Sequence, residues 1–387
     1  MERFQISTGW IAQNSRRLES AFLRVIHVTP RYFPHIGGIE SVVKELSERL
    51  VREANSVSVY TLDLNDKLPC EELVNGVLVR RYKPIVGDPF YLPSFRFLRA
   101  IRNDNAAIVH IHNIHILPVV FVALLKKPNQ RMIIQPHYHR FAQTWIRNLF
   151  FAFYKRLLAH IALPRADAII VNSRHEKKMV QEDFSQNGSV TLIPEGIDVN
   201  ELKLIEWSPD HSKRVLYVGG LRRYKNIDKL LLAFSLFLSK ENKDLKLVIV
   251  GGGPEKSRLV ELAHKLGIEN YVEWKHDLTR QQLLSEYAKA RVFVSLSSFE
   301  SFGRAVHEAI AIGVPTIALD KGATAELVQK GLAEGVSSVK PTEIAEVISK
   351  ALKKYNRIET ENVLRYFIDW DEYFNELKKV YEDVTKC

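Results

Sequence analysis

The stretch FESFGRAVHE, residues 299–308, sets two carboxylates, Glu300 and Glu308, eight positions apart around a Ser-Phe-Gly turn. An apolar strand pattern (VFVSL, 292–296) enters it and an Ala/Ile-rich helical pattern leaves it. A helix opening near residues 302–304 offers free backbone N–H groups and the positive end of its dipole, which suits phosphate. A carboxylate aimed at that phosphate would be repelled, so the consistent role for each acid is to accept hydrogen bonds from hydroxyls on either side. Such charge-assisted bonds are worth roughly 1.5–3 kcal/mol each. A diphosphate between two hydroxyl-bearing rings, as in a nucleotide-sugar, satisfies both acids. Taken singly, Glu300 reads better as a helix-start acid and Glu308 as a solvated helix residue.

Other loops fit the same ligand. YVGGLRRYKNIDKLLLAF (217–234) is a strand, a Gly-Gly turn and the cations Arg222, Arg223 and Lys225 ahead of a helix, suited to a diphosphate or to surface solubility. VIVGGGPEKSRL (248–259) carries three glycines, which mostly report tight packing of a strand-to-helix turn. TPRYFPHIGGIESVVKEL (29–46) joins a strand to a helix through Gly37 and Gly38, where backbone can approach a ligand, with Glu40 as a helix-start acid. HIHNIH (110–115) and HYH (137–139) raise the question of a metal. No acidic or cysteine ligand accompanies them at metal spacing, so histidines at strand ends, lining a crevice, are expected and no metal.

The elements that must position these loops alternate from end to end. Strands are expected near 23–29, 56–62, 77–82, 108–112, 132–135, 168–172 and 190–193, and again near 214–218, 246–250, 272–274, 292–296 and 316–319. Helical patterns lie between most of them, as at 40–52 and 174–183. That alternation predicts an α/β chain with two doubly wound parallel sheets, whose ligand crevices open at the carboxyl ends of the strands. The polar stretch ELKLIEWSPDHS (201–212) marks the junction, giving an N-terminal domain 1–204 and a C-terminal domain 205–365. The segment 366–387 is an amphipathic packing helix, with Phe367, Trp370, Phe374, Leu377 and Tyr381 at spacings of three and four.

At 387 residues, 46% hydrophobic and 26% charged, the chain has the composition of a two-domain globular protein. Cys70 and Cys387 form no disulfide framework, the first twenty residues lack an apolar signal core, and no run reaches transmembrane length, so a cytoplasmic setting is expected. The net charge of +10 is uneven: residues 1–200 hold 26 Lys/Arg against 18 Asp/Glu. The basic half should face an acidic partner. Its basic residues form no dense stripe with stacking aromatics, which argues against nucleic acid. FAQTWIRNLFFAFYKRLLAHIAL (141–163), with Arg147, Lys155 and Arg156 among aromatics, reads either as a surface for an anionic membrane or as a buried helix pair.

In this order the motifs resemble the retaining family 4 glycosyltransferases (glycosyl transferases group 1) of GT-B architecture, two Rossmann-like domains facing a cleft. The resemblance runs from about Arg24 to Tyr381. It rests on E-x7-E with FGR (300–308), PHIGGIE, LIPEGID (192–198), GGLRRYKNID and the closing DWDEYFNELKKVYEDV, similar to the family's helix that crosses back to the first domain. It implies that Glu308 holds the nucleotide's ribose and that Glu300 contacts the donor sugar. Backbone at Phe302 and Gly303 would hold sugar and phosphate, and Lys225 the diphosphate. Gly37 and Gly38 would form the loop closing over the phosphates, and His137 would touch the donor sugar. Two departures stand out. Gly220 occupies the position of the family's common arginine, leaving Arg222 or Arg223 to replace it, and the family's PNG reads Pro194-Glu195-Gly196 here.

The resemblance implies a nucleotide-diphosphate sugar as donor, a glycan, lipid-linked or small-molecule hydroxyl as acceptor, no cofactor, and transfer with retention of configuration. DLND (63–66) is the nearest approach to a metal-binding DxD and fits poorly. The leaving diphosphate is therefore expected to be stabilised by cations and helix-end N–H groups. The alternatives are a nucleotide-sugar epimerase, a hydrolase, or a non-catalytic sugar-nucleotide binding protein. A glycosidase would need two acids flanking one glycosidic bond at roughly 5–10 Å, which suits this motif less well.

Overall fold

The structure is a computed structural model describing residues 23–35, 37–62, 67–87, 90–140, 145–184, 190–209, 213–240, 245–353 and 363–386. The DLND stretch at 63–66, the first twenty-two residues, Cys387 and the end of the junction segment (210–212) lie outside them.

The first sheet contains β1 (Arg24–Thr29), β2 (Ser56–Thr61), β3 (Glu71–Val74), β4 (Val77–Arg81), β5 (Ile108–His112), β6 (Arg131–Gln135), β7 (Ala168–Val171) and β8 (Val190–Leu192). Their order is β3-β4-β2-β1-β5-β6-β7-β8, parallel except for the β3–β4 hairpin at one edge. The second sheet contains β9 (Lys213–Val218), β10 (Leu245–Val250), β11 (Val272–Lys275), β12 (Val292–Ser295), β13 (Thr316–Leu319) and β14 (Glu334–Val336), in the order β11-β10-β9-β12-β13-β14 and parallel throughout. The central strands read as short β-branched runs because both faces are covered by helices. In β1 and β10 only the first or second residue reaches solvent.

The strand order reverses at β1/β5 in one sheet and at β9/β12 in the other. Crevices form at such reversal points, outside the carboxyl ends of the strands. The loops leaving β1, β9 and β12 are the ones that carry Gly37-Gly38, Lys225 and Glu300. Those loops lead into helices α1 (Gly38–Arg52), α4 (Ile227–Lys240) and α6 (Arg304–Ile312). Helices α2 (Trp145–Leu157), α3 (Arg174–Phe184) and α5 (Arg280–Lys289) complete the set used below.

The last helix, α7 (Trp370–Lys386), returns to the first sheet. Trp370, Tyr373, Phe374, Leu377 and Tyr381 are buried in a cluster with Val25, Val57, Val79 and Ile108, and Arg49 of α1 pairs with Asp371 at 2.9 Å. Phe367 precedes the helix and packs with the second domain instead. The two chain crossings lie side by side: the Ile197 amide donates to the Ile368 carbonyl at 3.0 Å. A Cβ on Gly196 would sit 2.8 Å from the Trp370 Cα, so no larger residue fits this crossing.

Candidate active site

Helix α6 starts at Arg304, directly after Gly303, whose φ of 87° lies in the left-handed region. A Cβ there would also approach Thr324 Cγ2 to 3.2 Å, so the turn that exposes the helix N-terminus needs glycine. Phe302 is buried and stacks on His307, ring centroids 3.8 Å apart. It anchors the turn from below.

Glu300 and Glu308 sit in different surroundings. Glu300 is in the loop before the helix and forms an ion pair with Lys225. Burial works against the Lys225 charge, but Glu300 outweighs it and leaves the lysine above its ordinary pKa. Glu308, buried in the second turn, accepts from Arg280 at 2.7 Å on Oε1 and from the Tyr287 hydroxyl at 3.3 Å on Oε2. Arg280 is itself shared with Glu201 at 2.7 Å. Two of roughly four acceptor positions on Glu308 are thus taken, and the others remain for a hydroxyl-bearing ligand.

The Lys225 loop is fixed to the Glu300 loop by a residue that the sequence reading passed over. Asn226 adopts a left-handed conformation and donates through Nδ2 to the Leu296 carbonyl (2.7 Å) and Ser298 Oγ (2.8 Å). The Ser298 amide returns a bond to the Tyr224 carbonyl at 2.8 Å. Of the two arginines, Arg223 is largely exposed and pairs with Glu255 at 3.4 Å. Arg222 lies close enough to Lys225 to oppose its protonation. The triple-glycine turn packs on this same loop: a Cβ on Gly251 would fall 2.0 Å from the Gly219 carbonyl oxygen.

From the first domain, Gly37 caps α1 in an extended conformation, and a Cβ on it would collide with the Glu40 carboxylate. Glu40 is in the first helical turn as expected and also pairs with Arg31 at 3.0 Å. His137 is buried on the loop leaving β6, and burial lowers its pKa to about 3, so the imidazole is neutral. Its Nδ1 lies 3.2 Å from Asn172 Nδ2, and its Nε2 has no partner among the described residues. Asn172 also donates to Glu195 Oε1 at 3.0 Å. Glu195 in turn accepts from Arg304 at 3.2 Å, and Arg304 reaches the Gly38 carbonyl at 3.4 Å. One guanidinium on the helix of the FGR turn therefore ties the second domain to the glycine loop and the Pro-Glu-Gly segment of the first.

The expectation that the HIHNIH histidines line a crevice is corrected for His110 and His112. Side chains two apart on a strand share a face, and here that face is covered by α7. Both are fully buried, joined by His27 from β1, which stands beside His110 in the sheet register. Candidate ligand atoms of the three lie within 4.8 Å of one another. They nevertheless pair internally: His27 Nδ1 meets His112 Nε2 at 3.0 Å, and His110 Nδ1 meets the Tyr381 hydroxyl at 2.7 Å. His27 Nε2, His110 Nε2 and His112 Nδ1 have no partner among the described residues. The cluster reads as a polar seam between sheet and helix.

Helix α2 is split in character. Phe151 and Tyr154 are buried, as is Leu158 just after the helix, Lys155 pairs with Asp183 at 3.2 Å, and Phe153 and Arg156 face solvent. Residues 141–144, and the side chains through 150, lie outside the described set. No helix among the described residues is long and apolar enough to cross a membrane.

Comparison with known proteins agrees with this geometry. Residues 36–201 match the family described as Glycosyltransferase Family 4, and residues 200–366 match Glycosyl transferases group 1. An uncharacterized glycosyltransferase of Methanocaldococcus jannaschii is 28% identical, covering 79% of this chain and 83% of the relative. The O-antigen chain mannosyltransferase C of Escherichia coli is 24% identical, covering 88% and 91%. Among solved structures, sucrose-phosphate synthase from Thermosynechococcus elongatus superposes with a TM-score of 0.75 at 19% identity, covering 94% of this chain and 99% of that one.

Proposed function

From the premise that the chain belongs to the glycosyltransferases of family 4 and group 1, with the GT-B fold and a nucleotide-sugar donor, we propose that it transfers the sugar with retention of anomeric configuration. The observation that carries this reading is the N-terminus of α6, flanked by Glu300 and Glu308, with Lys225 brought beside it from the β9 loop by its ion pair with Glu300. The functional division follows the sequence reading: 1–204 for the acceptor side, 205–365 for the donor, and 366–387 as the returning helix.

In this reading the nucleotide ribose bonds to Glu308 and the donor sugar to Glu300 and His137. The diphosphate sits on the α6 N–H groups at Phe302 and Gly303, under the Gly37-Gly38 loop. Lys225 leaves Glu300 for the diphosphate as charge builds on the leaving group, so that stabilisation comes from fixed cations and helix-end dipoles rather than a metal. The leaving phosphate takes the acceptor's proton on the same face. Arg222 fills the role of the arginine missing at Gly220, because its charge acts on Lys225, whereas Arg223 is largely exposed and turned to Glu255.

Incubation with a panel of UDP-, GDP- and ADP-sugars tests this. Donor cleavage that rises only with an added acceptor, and an anomeric proton of unchanged configuration in the product, support it. An epimerised donor, cleavage without acceptor, or no turnover with any donor would sink it.

For the acceptor we favour a lipid-linked glycan met at the cytoplasmic face of an anionic membrane. Phe95 and Phe153 are exposed at 75% and 60%, with exposed Arg96, Arg99, Arg102 and Arg156 on the same helices. Co-sedimentation with vesicles is expected to require anionic lipid; pelleting that ignores lipid charge counts against it.

A further inference from the structure

The Pro-Glu-Gly segment places a carboxylate where the resemblance led us to expect an asparagine, and that carboxylate is buried in a chain of hydrogen bonds ending at His137. Asn172 stands at the centre. Its Oδ1 accepts from Gln135 Nε2 at 2.7 Å, and its Nδ2 donates to Glu195 Oε1 at 3.0 Å while lying 3.2 Å from His137 Nδ1. An amide can be turned either way, and a neutral histidine can carry its proton on either nitrogen, so the neighbours decide both. Ionised Glu195 only accepts. It therefore holds the Asn172 NH2 toward itself and toward His137 Nδ1, which makes Nδ1 an acceptor and leaves the imidazole proton on Nε2. Burial raises the Glu195 pKa above the ordinary carboxylate value, and Arg304, 3.2 Å from the other Glu195 oxygen, works against that rise in favour of the ionised form.

We propose that Glu195 is a positioning residue that, through Asn172, sets the tautomer of His137 so that its Nε2–H, the ring atom with no partner among the described residues, is presented as a donor to a hydroxyl of the donor sugar. The proposal rests on the glycosyltransferase reading only for what the Nε2–H meets; the tautomer itself is independent of it. With neutral Asn at 195 the Asn172 amide would be oriented only by Gln135, whose own amide can also be turned either way. The carboxylate supplies a fixed preference, and Arg304 makes it depend on the second domain being in place.

The test is 15N NMR of the histidine-labelled full chain near neutral pH, with His137 assigned by comparison with His137→Gln. The wild type is expected to show one tautomer, with Nδ1 unprotonated and Nε2 protonated. In Glu195→Gln, the new amide turns its oxygen to Arg304 and its NH2 to Asn172. Asn172 then rotates and presents Oδ1 to the ring, and the proton is expected to move to Nδ1. Glu195→Asp keeps an acceptor and should keep the wild-type tautomer. In Asn172→Leu the amide donor is gone and Glu195 Oε1, 3.7 Å from His137 Nδ1, is left as the nearest acceptor, so the proton is expected to move to Nδ1, a second route to the answer if Glu195→Gln does not fold.

With active protein, Glu195→Gln should lower kcat by about ten- to a hundred-fold, the scale of one buried hydrogen bond. The Kd of free nucleoside diphosphate should stay within about twofold, and Glu195→Asp should recover much of the rate. A wild-type His137 protonated on Nδ1, or a tautomer unchanged in both Glu195→Gln and Asn172→Leu, overturns the proposal. Absence of transferase activity in the wild type with the expected tautomers intact would instead overturn the functional reading.

Discussion

In Glu308 one carboxylate oxygen is held by Arg280 and the other by Tyr287, whereas Glu300 is joined to the lysine expected to meet the diphosphate. The two acids therefore fail differently when removed. Glu308→Ala leaves Arg280 paired with Glu201 alone and removes the ribose acceptor. It should weaken binding of free nucleoside diphosphate by about ten- to a hundred-fold in calorimetric titration. Glu300→Ala frees Lys225 for the phosphates, so nucleotide affinity should hold or rise while sugar transfer falls. Equal losses of affinity in both variants would refute the separate roles. For the cations, Arg222→Ala should weaken diphosphate binding several-fold, and Arg223→Ala should leave it within about twofold. A larger loss in Arg223→Ala would assign the missing guanidinium to Arg223 instead.

The element that matters most for the site is the turn into α6. Gly303 is left-handed and closely approached by Thr324, so Gly303→Ala puts a Cβ into a conformation that costs roughly 1–2 kcal/mol for an L-residue. Urea denaturation should show a loss of about that size. Donor binding should also fall, because relief of the strain shifts the N–H groups that define the helix end. An unchanged midpoint would mean that the turn relaxes without cost. Asn226 acts on the same scale: its two bonds lock the Lys225 loop to the end of β12, and its left-handed backbone suits Asn better than most residues.

At the scale of the molecule, neutral histidines are buried where the returning helix and the two domains meet. Burial lowers His27 and His137 to about 3 and His307 to about 4. An unfolded chain binds protons at these positions near pH 6.5, whereas the native protein binds them only near 3–4. At these positions the unfolded state thus holds more protons throughout that interval, so the histidines lower stability as pH falls through it, opposed by buried Glu176, whose pKa burial raises to about 8. The thermal midpoint should drop between pH 6.5 and 4. In His27→Asn, which has no imidazole to protonate, the drop should be shallower. Parallel slopes in the two proteins would count against this assignment.

Much of the molecule was legible in one dimension because parallel strands covered on both faces are written as continuous β-branched runs. The expected strands coincide with those of the structure within a residue or two. The short edge strand β14 and β3, whose Glu71-Glu72 start reads as polar loop, were missed for lack of such a run. The E-x7-E motif, Gly37-Gly38 and the Lys225 loop were visible because their spacing is local. Arg280, Asn172, Glu195 and Arg304 were not read as site residues, since each gains its meaning from a partner tens to hundreds of positions away. His110 and His112 were misread for the same reason: a strand-end pattern cannot say whether a helix from the far end of the chain will cover it. Sequence by itself determined the two sheets, the loops at their reversal points and the residue types offered there. Only the tertiary structure decided which carboxylate meets which cation and which histidine stays neutral, because burial and pairing are set by contacts between segments remote in the chain.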